Sequence, residues 1–188
     1  EPAAAPGPNF QQLAKRLRRG ENPEEVITAL YRMPAETWPN SQMNGLAQDL
    51  LSYLEEMLAD RRDGQAGIEA LSLGQAAADR LPEELGQTLR TELRQYGVPV
   101  HVIRTVPARM KYDREEISVT AGESIRLVFE NNDTMPHNLV LVTIGSREEV
   151  GRAADEMATQ PRAWEKGYVP ESEKVLQATR LLKPGESE

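Results

Sequence analysis

The side chains able to bind a metal or move a proton are few. The chain holds two histidines and no cysteine in 188 residues. His137 ends the run Asn131-Asn132-Asp133-Thr134-Met135-Pro136 and opens the apolar stretch Asn138-Leu139-Val140-Leu141-Val142. Imidazole is the commonest metal ligand and titrates near neutrality. A metal site needs several converging donors, however, so a lone histidine at a strand entry reads first as structural. His101, inside an apolar run, has the same reading. Met135 precedes a proline, whose ring pushes it towards extended backbone and so presents the residues that follow. Met110 and Met157 read as packing residues.

Without cysteine, neither a disulfide nor a thiolate metal site can form within these residues. Carboxylates cluster in Asp113-Arg114-Glu115-Glu116 and Ser146-Arg147-Glu148-Glu149. The first cluster precedes a strand and the second fills a helix's first turn, where solvation and capping account for them. No nucleophile and base converge on a cleft, so the expectation is a protein that is not an enzyme.

The elements that must position His137 follow from composition and period. The formal net charge of -8 and scattered Lys and Arg argue against a nucleic-acid partner and leave a basic protein partner open. The apolar runs are strand-length, so no membrane span is expected. Residues 1–9, rich in Pro and Ala and without an initiator Met, read as a linker inside a longer polypeptide.

Residues 10–97 carry helical spacing. Phe10, Leu13, Ala14 and Leu17 share a face that Gly20 ends. Asn22, Pro23 and Glu25 form a capping-box start for a helix with Val26, Ile27, Leu30 and Tyr31 inward, ending near Pro34. The longest stripe is Met43, Leu46, Ala47, Leu50, Leu51, Leu54, Met57 and Leu58. A fourth helix spans 65–80. Pro82 opens a fifth, with Leu85, Leu89, Leu93 and Tyr96 inward. Five short helices resemble a piece of a helical repeat array, with core packing sufficient to explain the stripes.

From residue 98 the period becomes two. Strands are expected at 98–106, at 115–120, at 123–131 with Ile125, Leu127 and Phe129 on one face, at 137–142 and at 174–182. The run at 137–142 is apolar on both faces and reads as a central strand covered twice. A helix after Ser146, with Ser146 and Glu149 as capping box and Val150, Ala154 and Met157 inward, interrupts the strands. The fold class is therefore α+β in two domains, an all-α module over 10–97 and a β-sandwich or barrel over 98–188. The closing Pro184-Gly185-Glu186-Ser187-Glu188 is a turn that should lead into another strand. The expectation is a second domain lacking its C-terminal strands, since an open edge is a liability.

Residues 108–142, with Asn131-Asn132-Asp133 and His137-Asn138 at their core, resemble the first half of a cupredoxin of the azurin, auracyanin and plastocyanin type. The resemblance extends over 98–188, including the helical excursion after Val142. It implies an incomplete Greek-key β-sandwich with a helical insertion. It makes His137 the first ligand of a type 1 copper, Asn138 the residue tying the ligand loops together, and Pro136 the position whose carbonyl can approach the metal axially. Asn132 and Asp133 match the polar turn before the ligand.

The remaining ligands of that family, a cysteine, a second histidine and usually a methionine, lie on a loop that these residues do not contain. A blue site needs thiolate and two imidazoles in one plane with a weak axial donor. Copper is thus expected in the intact domain and not in this chain, where His137 would be solvated or bound adventitiously. The resemblance further implies export to the periplasm or beyond, single-electron transfer, and a redox partner such as a neighbouring cytochrome c. A copper-free binding or assembly module is the alternative.

Overall fold

The apolar stripes of the N-terminal half become five helices, α1 (Phe10–Arg18), α2 (Pro23–Arg32), α3 (Met43–Glu56), α4 (Gln65–Ala78) and α5 (Glu83–Leu93). The computed structural model describes residues 9–34, 37–117 and 119–188. The linker expected over 1–9 therefore lies almost wholly outside the described residues. The chain divides into two compact units, one taking in the chain up to His101 together with Thr120–Arg126, the other Val102–Val119 with Leu127–Glu188.

In the helical unit the stripes bury as spaced. Phe10, Leu13, Ala14 and Leu17 of α1 are buried, as are Val26, Ile27, Leu30 and Tyr31 of α2. A full capping box starts α1. The Asn9 side chain accepts from the Gln12 amide and the Gln12 side chain accepts from the Asn9 amide, both at 3.0 Å. The box expected at Asn22 does not form, because Asn22 adopts left-handed backbone at φ 48° and its side chain makes no cap bond. Its side-chain Nδ2 instead donates to Glu25 Oε2 at 3.5 Å.

Helix α4 is the centre of the bundle and packs against α2, α3 and α5. Nearly every residue from Gly67 to Ala78 is buried, which its small side chains permit. A Cβ at Gly74 would stand 2.8 Å from Leu93 Cδ2. The inward face of α5 is Gly86, Leu89 and Leu93, and the expected Leu85 is half exposed. The correction has a steric cause, since α5 approaches α4 through Gly86, where a Cβ would meet the Ala78 carbonyl at 2.6 Å. Leu58, also assigned to the core by spacing, lies beyond the end of α3 and is exposed. The buried Glu69 carboxylate accepts from Thr28 Oγ1 at 2.6 Å and Gln65 Nε2 at 3.0 Å, which offsets its loss of water.

The β elements are β1 (Val100–Val106), β2 (Lys111–Tyr112), β3 (Arg126–Glu130), β4 (Val140–Val142) and β5 (Val175–Ala178), with α6 (Arg147–Ala158) between β4 and β5. One sheet has the order β2-β1-β3 and the other pairs β4 with β5. The strand expected at 115–120 is absent among the described residues there, and Ser118 lies outside them. Its place beside β1 is taken by β2, in the register Thr105↔Tyr112 and Val106↔Lys111. Asp113 closes that hairpin, its amide donating to the Arg104 carbonyl at 2.8 Å and its carboxylate accepting from the Arg104 amide at 2.7 Å. Ala108 and Met110 take left-handed backbone in the turn, and Met110 is 74% exposed, so it is no packing residue.

Strand β4 is not covered on both faces. Among the described residues it pairs with β5 alone, and Leu141 reaches the surface. The buried side chain of that run is Leu139, which joins Ile103, Phe129 and Leu182 in the core of this unit. The cap expected from Ser146 is also replaced, its hydroxyl bonding Thr143 Oγ1 at 2.7 Å while Glu149 pairs with Lys174. The final turn, with Gly185 at φ 80°, brings the last residues against β3. The Phe129 amide donates to the Glu188 carbonyl at 2.7 Å and the Glu188 amide to the Phe129 carbonyl at 3.0 Å.

Candidate functional site

Strand β3 places Leu127 and Phe129 on alternate positions, in step with Ile125 just before it, and the same period continues into the loop. Asn131 and Asp133 are buried, whereas Asn132 between them is exposed. Two polar side chains are thereby carried inward immediately before His137, and each must be satisfied by hydrogen bonds.

Asn131 is fully buried and uses both ends of its amide. Its Oδ1 accepts from Thr105 Oγ1 at 3.2 Å and the Asp133 amide at 3.0 Å. Its Nδ2 donates to the carbonyls of Met135 at 2.8 Å and Leu182 at 2.9 Å. The backbone of Asn131 donates to the Glu186 carbonyl and accepts from the Gly185 amide. One side chain thus joins β1, the loop before His137 and the segment around Leu182.

Asp133 sits beside it. Its Oδ1 accepts from the Ala108 amide at 3.2 Å, the Thr134 amide at 2.6 Å and Thr134 Oγ1 at 3.3 Å. Its Oδ2 lies 3.1 Å from His137 Nε2. The Ala108 and Thr134 amides, with His137 adding to them, hold the Asp133 carboxyl below the usual carboxylate range. A carboxyl with a lowered folded value stabilises the fold fully above its unfolded pKa, and that contribution is lost as pH falls through the folded value. Acid unfolding of the wild type should therefore steepen below about pH 4. In Asp133→Asn that component of the slope should vanish, and equal slopes for the two proteins would contradict it.

His137 is held at backbone and ring. Its amide donates to the Leu182 carbonyl at 3.0 Å, and its carbonyl accepts from the Leu182 amide at 2.8 Å. The side chain is 14% exposed, so the expectation of a solvated ring is corrected: burial and the Asp133 carboxylate hold it. Asn138 donates through Nδ2 to the Gly167 carbonyl at 2.6 Å, linking the entry of β4 to the loop after α6. The Asn138 carbonyl accepts from the Tyr112 hydroxyl at 3.0 Å. Burial pushes the Tyr112 hydroxyl up, so it stays protonated and donating, and its ring meets Phe129 edge-on at 5.7 Å. Pro136 is exposed. His101 is buried within β1.

Three of the residues singled out from the sequence, His137, Asn138 and Pro136, are consecutive and need no folding to meet. What the fold adds is Asn131 and Asp133 as the supports beneath them. Sequence reasoning took Asn132 and Asp133 as a polar turn and passed over Asn131. The signal was available in the period of two from Ile125 through Phe129, which points 131 and 133 inward.

The donor set does not fit a type 1 copper. The sequence supplies no thiolate, and among the described residues no group of three or more His, Cys, Asp or Glu side chains could hold a metal ion. His137 provides one oriented imidazole. No helix among the described residues is long and apolar enough to cross a membrane.

Comparison with known proteins bears on this geometry. Residues 101–187 match the family model described as copper binding proteins, plastocyanin/azurin family. No curated protein matches the chain. Among solved structures the chain is similar to the sodium dithionite-reduced auracyanin of the photosynthetic bacterium Roseiflexus castenholzii. The two are 28% identical, the match covers 47% of this chain and 70% of that one, and the TM-score is 0.40. The family match carries the assignment: residues 101–187 are a cupredoxin domain of the plastocyanin/azurin family.

Proposed function

We propose that the cupredoxin domain represented by residues 101–187 serves single-electron transfer, exchanging electrons with a redox partner without making or breaking bonds. Its role is that of a carrier and not of a catalyst. In this reading His137 is one ligand of a mononuclear type 1 copper whose thiolate and second imidazole come from outside these 188 residues. Asn138 ties the ligand strand to the loop at Gly167, Pro136 offers its carbonyl on the exposed side, and the intact domain is a Greek-key sandwich with α6 as its helical insertion. An exported protein, periplasmic or extracellular, with cytochrome c or a comparable neighbour as partner, fits the family's usual setting.

The observation that carries this reading is the family match over 101–187. The carriage of Asn131 and Asp133 inward beneath His137 supports it, because ligand orientation by surrounding hydrogen bonds is what a metal-binding imidazole requires. The second reading, a copper-free binding or assembly module, is favoured by the absence of cysteine from the sequence.

Titration of Cu(II) into the protein expressed from its full gene separates the two. The electron-transfer reading expects the intense blue thiolate-to-copper band at one equivalent, lost in His137→Ala. The 188-residue chain alone should give only the weak absorption of nitrogen and oxygen ligation. A full-length protein that takes up no copper, or stays colourless with it, defeats the reading and leaves the binding module.

A further inference from the structure

We propose that Asn132 is an acceptor for N-linked glycosylation, its side-chain amide taking an oligosaccharide from a lipid-diphosphate carrier during export. The inference rests on the exported setting given above and not on copper.

Of the seven asparagines in the sequence, Asn132 alone has a serine or threonine two positions on, in Asn132-Asp133-Thr134, and no proline stands between them. Asn-x-Ser/Thr without proline is the acceptor pattern, and it has to lie on a surface turn to carry so bulky and polar a group. A pattern this short recurs by chance, so the placement of the side chains decides. The alternation that buries Asn131 and Asp133 turns Asn132 and Thr134, the two residues that a transferase reads, out to solvent together. Met135 and Pro136 are exposed after them, which leaves the turn clear.

The neighbouring asparagines give the contrast. Asn131 donates through Nδ2 to the Met135 and Leu182 carbonyls and Asn138 through Nδ2 to the Gly167 carbonyl, so a sugar on either nitrogen would displace a hydrogen bond. The Asn132 side chain has no hydrogen bond among the described residues. The residue is fixed through its backbone, the amide donating to Thr105 Oγ1 at 2.8 Å. Substitution at its Nδ2 therefore breaks no hydrogen bond of the fold. Transfer forms a bond from Nδ2 to C1 of the sugar as the C1–O bond to the lipid diphosphate breaks. The diphosphate leaves with the electron pair, and Nδ2 gives up one proton. In the folded domain Thr134 Oγ1 is engaged on Asp133 Oδ1 at 3.3 Å and Asn131 braces the loop. The step accordingly belongs to the chain before it folds, and folding then leaves the glycan outside.

The test takes the protein from the cells that make it. The cells are fractionated, and the tryptic peptide Leu127–Arg147, which contains Asn131, Asn132 and Asn138, is sequenced by fragmentation that keeps sugars attached. The expected result is a glycan on Asn132 in the exported protein. Exported protein with a bare Asn132, or with the glycan on either of the other two, overturns the proposal and leaves export standing. Protein confined to the cytoplasm refutes the exported setting and the proposal with it. Variants expressed from the full gene in the same cells check the pattern: the glycan should be lost in Asn132→Gln and Thr134→Val and kept in Thr134→Ser. A glycan that survives Thr134→Val contradicts the acceptor assignment. Asn132→Gln should also leave the thermal midpoint of the cupredoxin transition unchanged, where Asn131→Ala lowers it. A comparable fall would show that the Asn132 side chain bonds inside the fold and would remove it as an acceptor.

Discussion

Asn131→Ala is expected to destabilise the cupredoxin domain by about 3–5 kcal/mol, more than a typical substitution of its size. The side chain makes four hydrogen bonds from a fully buried position, two as acceptor and two as donor. Each is worth about 1 kcal/mol net, but truncation also leaves the Asp133 amide and the Met135 carbonyl short of a partner, at about 1–3 kcal/mol for each group left unsatisfied, while the Thr105 hydroxyl still accepts from the Asn132 amide. The Leu182 carbonyl suffers less, because the His137 amide still donates to it. Amide hydrogen exchange reads the effect within the right unit: protection at His137 and Gly185, whose acceptors are backbone carbonyls that the variant keeps, should fall by about two to three and a half orders of magnitude. Protection in α4, which belongs to the helical unit, should be unchanged. Asn131→Asp supplies a control of sign, since it sets carboxylate oxygen against the Met135 and Leu182 carbonyls and should be at least as destabilising at neutral pH. A loss below about 1 kcal/mol for both variants would mean that water replaces the side chain, and the account of Asn131 as the brace would fail.

The helical elements were legible in the sequence because a 3.6-residue stripe is redundant. Moving one residue in or out, as happened with Leu85 and Gly86, leaves the helix in place. The cap signals were less reliable, since Asn22 and Ser146 have the right side chains but the local backbone sends them to other partners. In the β region the alternation of Ile125, Leu127 and Phe129 identified a strand, yet pairing is non-local. Nothing in the run 115–120 says that the two residues Lys111 and Tyr112 take the place beside β1 first.

The candidate site divides along the same line. His137 and Asn138 were visible through their place in a recognisable stretch, and their chemistry is local. Asp133 was read as a turn residue because nothing at the level of types and spacing says that Ala108, 25 positions earlier, donates to its carboxylate. The period of the preceding strand did contain the clue. An alternation of apolar residues that ends in Asn and Asp on the same parity indicates a strand face that stays buried after it turns polar, and such groups are obliged to bond each other.

Phe129→Ala carries the second large effect and connects the core to that site. Phe129 is 1% exposed and packs with Ile103, Leu139 and Leu182, with Tyr112 edge-on to its ring. Removing it should cost about 3–5 kcal/mol, combining lost transfer free energy with a cavity that a β-strand framework closes poorly. Two of its neighbours are the residues that place His137. Leu139 follows it by two positions, and Leu182 brackets its backbone by two hydrogen bonds. Tyr112 would lose the ring that holds its hydroxyl on the Asn138 carbonyl. Calorimetry should show the cupredoxin transition falling by on the order of 15 °C or more while the helical transition stays in place, since Phe129 and the three residues it packs with all belong to one compact unit. Phe129→Leu, which keeps most of the volume, should lose about a third as much. The contrast between the two variants decides the cause: equal losses would point to the aromatic contact with Tyr112, whereas the expected threefold difference assigns the effect to the cavity under Leu139 and Leu182, and so to the packing that holds the His137 strand against its supports.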